Sequence, residues 1–370
     1  MSTLRSDRID RLQQAMGKAD VDALLVMTLA DYLYFIGDLR KQPRAVIPRQ
    51  GPPILYAFAA ETDQVRAHTG VSDVRPYRGL HEMMMAIMAT LKGLGKEKPK
   101  VALELEFGTP AFLLERFKLA NPQVQVVDAK PLVAPLRQIK DEGELALVRR
   151  AAELADLGVE RARQVIGAGV TEAEVALEVE EAVRKAGAMA LGFPMFVNSG
   201  NRSLWLHGAA TDKRIEAGDL VLVDLAPVVG GYHADICRTF SVGQPSAEAA
   251  RLYGLYLKME QTALTVARPG LPLHQMEAQV EKVLAAEGLA DHYLRGFVHG
   301  VGLGFEETPF PTIFPEDVLA PLQSGMTLAV GHPTLAVPGV GGVRVEDTVH
   351  LTDAGAVLLT TAPRDELIVV

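Results

Sequence analysis

Cysteine is almost absent from this chain: Cys237 is the single thiol in 370 residues. One thiol closes no internal bridge, so a disulfide framework is excluded and a reducing compartment is the expected setting. Basic charge is also short. With 37 Lys and Arg against 46 Asp and Glu, the net charge is −9 and the pI is near 5.6. Nucleic acid finds no basic face, and an anionic bilayer finds no basic stripe. No charge-free apolar run reaches the ~18–20 residues that span a membrane. The opening Met1-Ser-Thr-Leu-Arg-Ser-Asp-Arg carries charge where a secretory signal needs an apolar core. These absences predict a cytoplasmic globular protein with neither a nucleic-acid nor a membrane partner. The 48% hydrophobic and 22% charged residues are ordinary for an enzyme and silent about its reaction.

The length exceeds one ordinary core, so two domains are expected. Up to about residue 130, short apolar runs (Asp20-Val-Asp-Ala-Leu-Leu-Val-Met, Ala45-Val-Ile, Ile54-Leu-Tyr, Val101-Ala-Leu-Glu-Leu) alternate with Gly/Pro punctuation and helical patterns. Met83-Met-Met-Ala-Ile-Met reads as a helix core stripe rather than a metal box. Pro131 and Pro135 are expected to break the chain, which puts a boundary at about 135: domains 1–135 and 136–370. Leu145, Val148, Ala152 and Ala155 then recur at helical spacing. Thr171 with Glu174 makes a capping box for a helix carrying Val175, Val179 and Val183 and ending near Gly187. At an offset of 101 residues the pattern echoes: Val175 meets Met276, Val179 meets Val280, Val183 meets Leu284. Two related halves, each of helices and a hairpin and sharing one sheet, are the implied architecture.

Two carboxylates stand out. Asp224 ends the buried run Asp219-Leu-Val-Leu-Val-Asp, and Asp235 lies in the stretch Tyr232 to Val242 that reads as its partner strand. A bulge-free hairpin centred between Val229 and Gly230 sets them directly opposite, ~5 Å apart, where they repel unless something positive intervenes. A divalent metal would serve. Protonation of one acid, or pairing with Arg238 or Arg344, would serve as well. In Val343-Arg-Val-Glu-Asp-Thr-Val-His, a period of two puts Arg344, Glu346, Thr348 and His350 on one face and Val343, Val345 and Val349 on the other. Counted back through Pro338-Gly339, Glu346 faces His332, so the second half repeats the placement of the first. His299, in a glycine-rich stretch, adds an imidazole that is either structural or a further ligand.

With these residues in place, the chain from about 140 resembles the pita-bread metallopeptidases: creatinase, methionine and proline aminopeptidases, and prolidase. The resemblance rests on Phe193 to Gly200, His207, Gly218 to Asp224, Tyr232-His-Ala-Asp-Ile-Cys-Arg-Thr-Phe, His299-Gly-Val-Gly, Gly325-Met, and Gly341 to Asp347. Residues 1–130, through Asp22-Ala-Leu-Leu-Val and Tyr34-Phe-Ile-Gly, resemble the extra N-terminal domain of the creatinase/prolidase branch. The implied fold class is α/β (α+β): a pita-bread C-terminal domain with a smaller α/β creatinase-like N-terminal domain. The implied activity is metal-dependent hydrolysis of short, proline-containing peptides, as an Xaa-Pro dipeptidase or aminopeptidase. By the same resemblance Asp224 binds one metal, Asp235 and Glu346 bridge two, and His299 binds the other. His207 stands near the substrate amide, and Arg344 orders the carboxylates. The resemblance also implies a homodimer.

Two positions depart from the family pattern. Its remaining glutamate ligand becomes His332, after a one-residue insertion at Gly331. Its second histidine, seven residues after the histidine ligand, becomes Glu306. The metal set therefore reads Asp224, Asp235, His299, His332 and Glu346, for one or two ions of Mn, Co or Zn, the second weak or absent because a negative charge is lost. One outcome is a compensated exchange in which Glu306 is the base and His332 the ligand. The other is decay to a catalytically inactive or weak homologue serving as a binding or scaffold protein. Other small-molecule chemistry, as in creatinase, is a third. Cys237 is expected to be a buried small side chain, and His233 to point away from the acids. Asp38 to Arg44 either reaches over a site or is a solvated loop.

Overall fold

The apolar runs of the first third become strands. A computed structural model describes residues 4–40 and 44–370, and its chain separates into units Met1–Arg137 and Gln138–Val370. Among the described residues, the first unit holds a six-stranded sheet in the order Val74–Tyr77, Ile54–Phe58, Ala45–Pro48, Ala23–Val26, Lys100–Leu103, Gln125–Asp128. Ala45–Pro48 runs antiparallel to both neighbours, and the other joints are parallel. Ala23–Val26 is buried at every position, which is why its sequence is continuously apolar rather than alternating. Met83 and Ile87 pack into this core, while Met85 stays half exposed. Of the loop from Asp38 to Arg44, residues 41–43 lie outside the described residues; Arg40 pairs with Asp38 at 2.7 Å. The prolines do not break the chain as expected. Lys130–Gln138 is helical, with Pro135 inside it. Pro131 falls in the first turn, where no intrahelical N–H is needed.

In the second unit, helix Glu142–Val165 packs on Glu172–Lys185, and Ala247–Val266 on Leu273–Ala286. The stripe Leu145, Val148, Ala152, Ala155 is buried. Helix Leu273–Ala286 starts and stops 101 residues after Glu172–Lys185, and the three equivalent apolar pairs are all buried. The helix starts differ. Thr171 and Glu174 form a complete capping box, whereas Pro272 gives Leu273–Ala286 no side-chain cap.

Among the described residues the strands of this unit form two four-stranded sheets, beside a three-stranded and a two-stranded one, rather than a single sheet. Phe196–Ser199, Leu220–Leu225, Ile236–Ser241 and Ile368–Val369 make the first; Val298–Gly300, Thr327–Val330, Asp347–Thr352 and Gly355–Leu358 make the second. They meet where Cys237 and Glu346 exchange backbone hydrogen bonds of 3.2 and 3.0 Å. The Thr239 hydroxyl extends the seam by donating to Arg344 O and accepting from Arg344 N–H. No helix of the described residues is long and apolar enough to cross a membrane.

The first hairpin corrects the expected register. Its turn is Gly230-Gly231, with φ of 57° and 88°, and Val229 pairs with Tyr232. A tight two-residue turn wants positive φ at both central positions, which two glycines supply and Val229 does not. The pairing therefore slides by two residues, and Asp224 faces Cys237 instead of Asp235. A two-residue slide keeps every side chain on its face, so both acids still point the same way. The second hairpin pairs Leu335 with Val343 and Val337 with Gly341, centred on Gly339 as counting predicts. Farther back, Val330 pairs with Asp347, so five steps on one strand oppose four on the other. The extra residue makes a bulge at Gly331, where φ is 106° and a Cβ would stand 2.0 Å from Val345 O.

Candidate metal centre

One row of paired residues crosses both sheets and lays down the floor of the site. Phe196 pairs with Asp224, Asp224 with Cys237, and Cys237 with Glu346. Continuing the second hairpin's register brings His332 beside Glu346. Paired residues share a face, so phenyl, carboxylate, thiol, carboxylate and imidazole follow in sequence along one surface. Asp235 joins from a break between Tyr232–His233 and Ile236–Ser241. There the Thr348 hydroxyl accepts from Asp235 N–H and donates to Asp235 O, both at 2.8 Å. His299 arrives from the strand Val298–Gly300, with its Nδ1 2.9 Å from Gly300 O. Donation to that carbonyl puts a proton on Nδ1 and makes Nε2 the nitrogen that faces Asp235 and Glu346.

The five predicted metal-ligating residues do come together. Asp224, Asp235 and Glu346 present ligand atoms within 4.8 Å of one another, and so do His299, His332 and Glu346. His299 Nε2 lies 3.4 Å from Glu346 Oε1 and 3.9 Å from Asp235 Oδ2. Asp224 Oδ1, Asp235 Oδ1, His299 Nε2 and Glu346 Oε1 are all buried without a hydrogen-bond partner among the described residues. Buried polar atoms are rarely left so, and acids and an imidazole left unpaired in two clusters that share Glu346 fit divalent cations.

Arg344 reaches further into the cluster than an outer ordering role requires. Its Nη1 donates to Asp224 Oδ2 at 2.8 Å and its Nη2 to Glu346 Oε2. The same Nη2 is 3.3 Å from His332 Nδ1. Arg238 takes no part; it turns to the opposite face and pairs with Asp347 at 2.6 Å. Protonation follows from these contacts. Burial pushes Asp224 up to about 7, against the pull of Arg344. Burial and then the charges of Glu346 and Asp224 drive Asp235 well above the usual range. Burial alone would raise Glu346 too, but Arg344 and the two imidazoles hold it well below. Burial lowers His332 to about 3, and lost hydration, then Arg344, lowers His207 to about 4. Both rings are therefore neutral and able to ligate.

The floor opens into a cavity of about 150 Å³ walled by Phe193, Phe196 and Phe305, with His207 and Glu306 at its rim. His207 packs against His332, ring centres 5.4 Å apart, and Glu306 Oε1 is 3.6 Å from His332 Nε2. Cys237 is buried, as expected, and His233 turns its Nδ1 to Gly302 O at 3.0 Å. Sequence reasoning missed what holds Glu306 at the rim. Glu307 pairs with Lys140 at 2.8 Å, and its backbone closes the loop onto Gly300 at both N–H and C=O. Lys140 carries no motif; only its apposition to a loop 167 residues away reveals it.

The chain as a whole has relatives of known fold. Residues 146–353 match the model of metallopeptidase family M24, and residues 8–139 match the creatinase/prolidase N-terminal domain. The chain belongs to metallopeptidase family M24. An Xaa-Pro dipeptidase of Pyrococcus furiosus is 30% identical over 362 residues, 98% of this chain and 99% of that protein. Solved structures of similar shape include an Xaa-Pro dipeptidase from Bacillus anthracis (TM-score 0.89, 28% identity, 99% of each chain). The prolidase of Pyrococcus horikoshii is another (TM-score 0.87, 28% identity, 98% of this chain and 100% of that one). The M24 chain thus has the pita-bread fold with the creatinase-type N-terminal domain. It is a hydrolase of a peptidase family that uses divalent metal.

Proposed function

We propose that this M24 member hydrolyses short Xaa-Pro peptides with a divalent ion held by Asp224, Asp235, His299 and Glu346. The observation that carries the reading is the set of four buried, partnerless ligand atoms in two clusters that share Glu346. A bound ion there supplies an acidified water and an electrophile for the scissile carbonyl. The remaining chemistry falls to the chain's own groups. Glu306 is the proton acceptor at the rim, its pKa raised by burial above the ordinary glutamate value. His207 stands beside it to meet the substrate amide, and Phe193, Phe196 and Phe305 offer apolar walls to a pyrrolidine ring. Arg344 holds Asp224 and Glu346 in position. His332 can face the His299 side through Nδ1 or the rim through Nε2. The relatives named Xaa-Pro dipeptidase support the substrate class. A homodimer in the cytoplasm is the setting we expect, checked by light scattering.

Hydrolysis of several Xaa-Pro dipeptides and Xaa-Pro-Xaa tripeptides, with Mn, Co or Zn added after dialysis, is the direct test. Metal-dependent turnover carries the reading, and absence of turnover with every metal sinks it. The exchange of Glu306 and His332 is tested by Glu306→His and His332→Glu, singly and together. If the double variant is no better than the sum of the singles, the two positions are not coupled. A second reading draws on Arg344, whose guanidinium already neutralises Asp224 and Glu346. Under it the fold is kept as a binding or scaffold protein, and dialysed protein takes up no ion.

A further inference from the structure

His332 has two faces, and they look at different partners. Its Nδ1 is 3.6 Å from Glu346 Oε1, while its Nε2 is 3.6 Å from Glu306 Oε1. His207, Glu306 and His332 present ligand atoms within 4.8 Å of one another at the rim. We propose that His207, Glu306 and His332 form a second, outer site for a zinc-like cation, separate from the Asp224/Asp235 floor. Two imidazoles and a carboxylate with an open position are a donor set that zinc favours. Metal-bound imidazoles ordinarily donate their other N–H to a carboxylate, which fixes the tautomer. Glu346 Oε1, buried, without a hydrogen-bond partner and 3.6 Å from His332 Nδ1, is the carboxylate placed to accept once the ring proton sits on Nδ1. The opposing tautomer is also built in. Arg344 Nη2, which only donates, lies 3.3 Å from the same Nδ1; accepting from it moves the ring proton to Nε2, toward Glu306. An outer ion selects the first tautomer. The bulge at Gly331 is what sets the ring between the two carboxylates.

The proposal shares with the peptidase reading only the premise that this pocket takes divalent ions. It also has a consequence for that reading: an ion on Glu306 removes the rim base, so hydrolysis falls as the outer site fills. The test is equilibrium dialysis of the full chain against Zn²⁺, with bound metal counted, for the parent protein, His207→Ala, Glu306→Gln and Asp235→Asn. Cobalt absorption spectra of the same samples report the coordination. His207 sits at the rim of the cavity and Glu306→Gln is isosteric, so neither threatens folding, which circular dichroism checks. Losing a partner one shell out costs ~10–100-fold in affinity, and losing a direct ligand at least the upper part of that range. One zinc should therefore weaken by about 100-fold in His207→Ala and Glu306→Gln, and stay in Asp235→Asn. Unchanged binding in the two rim variants overturns the outer site. So does its loss in Asp235→Asn, or a parent chain that takes up no zinc. The peptidase reading fails separately, if a chain with its floor ion bound hydrolyses no Xaa-Pro peptide.

Discussion

The two halves of the second unit make similar supports, but only the second brings a counter-charge with its carboxylate. The first half contributes Asp224 and Asp235 from a regular hairpin closed by Gly230-Gly231, and its own arginine, Arg238, faces the other way. The second half contributes a carboxylate together with its counter-charge, Arg344, and an imidazole, His332, delivered by a bulge. One half is thus uncompensated and the other self-compensated, and the guanidinium is shared across the seam with Asp224. The second helix of each pair has the same length and the same buried positions, so the two halves agree in packing and differ in charge at the few positions facing inward.

Removing the shared cation should break the comparison hardest. Arg344→Met leaves Asp224 and Glu346 buried without their partner, and breaking a buried pair typically costs about 3–5 kcal/mol. Urea unfolding in EDTA measures the loss, and added Mn²⁺ or Zn²⁺ should recover part of it. A loss below about 1 kcal/mol would mean the pair is not holding the halves together. Next comes the bulge. Gly331→Ala forces a Cβ into Val345 O at an unfavourable φ, for about 1–3 kcal/mol. Gly230→Ala, at φ 57° with only Leu147 side-chain atoms nearby, should cost about 1 kcal/mol. Equal losses in paired thermal melts would show that the irregular hairpin is no more strained than the regular one.

Asp235→Asn tests the uncompensated half, and its sign is reversed. Without metal, the variant should be more stable by about 1 kcal/mol, because a buried carboxylate facing two others has no partner for its Oδ1. That corresponds to ~2–4 °C in calorimetry of a unit this size. With metal, the same variant should lose affinity and peptide hydrolysis; a destabilised apo-protein would contradict the electrostatic account. The smallest effect is at the helix starts. Thr171→Ala should cost about 1 kcal/mol by removing the capping box. Pro272→Ala removes no side-chain cap and should fall within about 0.5 kcal/mol of the parent in the same melts.

Much of the site was legible because strand periodicity carries it. Counting by two put Arg344 and Glu346 on one face and Val343, Val345 and Val349 on the other, and the valines do enter the core. The register of the first hairpin was misread by one turn position, yet its faces survived, since a two-residue slide returns each side chain to the same side. Pro135 misled because local propensity is a weak prior against tertiary packing, and Pro131 because the first turn of a helix tolerates proline. Lys140 was invisible: a single lysine at the edge of a helix has no periodicity, and its meaning comes only from Glu307.

By itself the sequence determined which residue types face inward, because alternation and helical spacing are consequences of backbone geometry that hold wherever the chain goes. It also determined the family, through several spaced motifs in order. Only the tertiary structure decided that Arg344 lies among the acids rather than behind them, and that His332 stands between two carboxylates. Those facts depend on distances between segments tens to hundreds of residues apart, and electrostatic interaction depends on separation in space, on which chain order is silent.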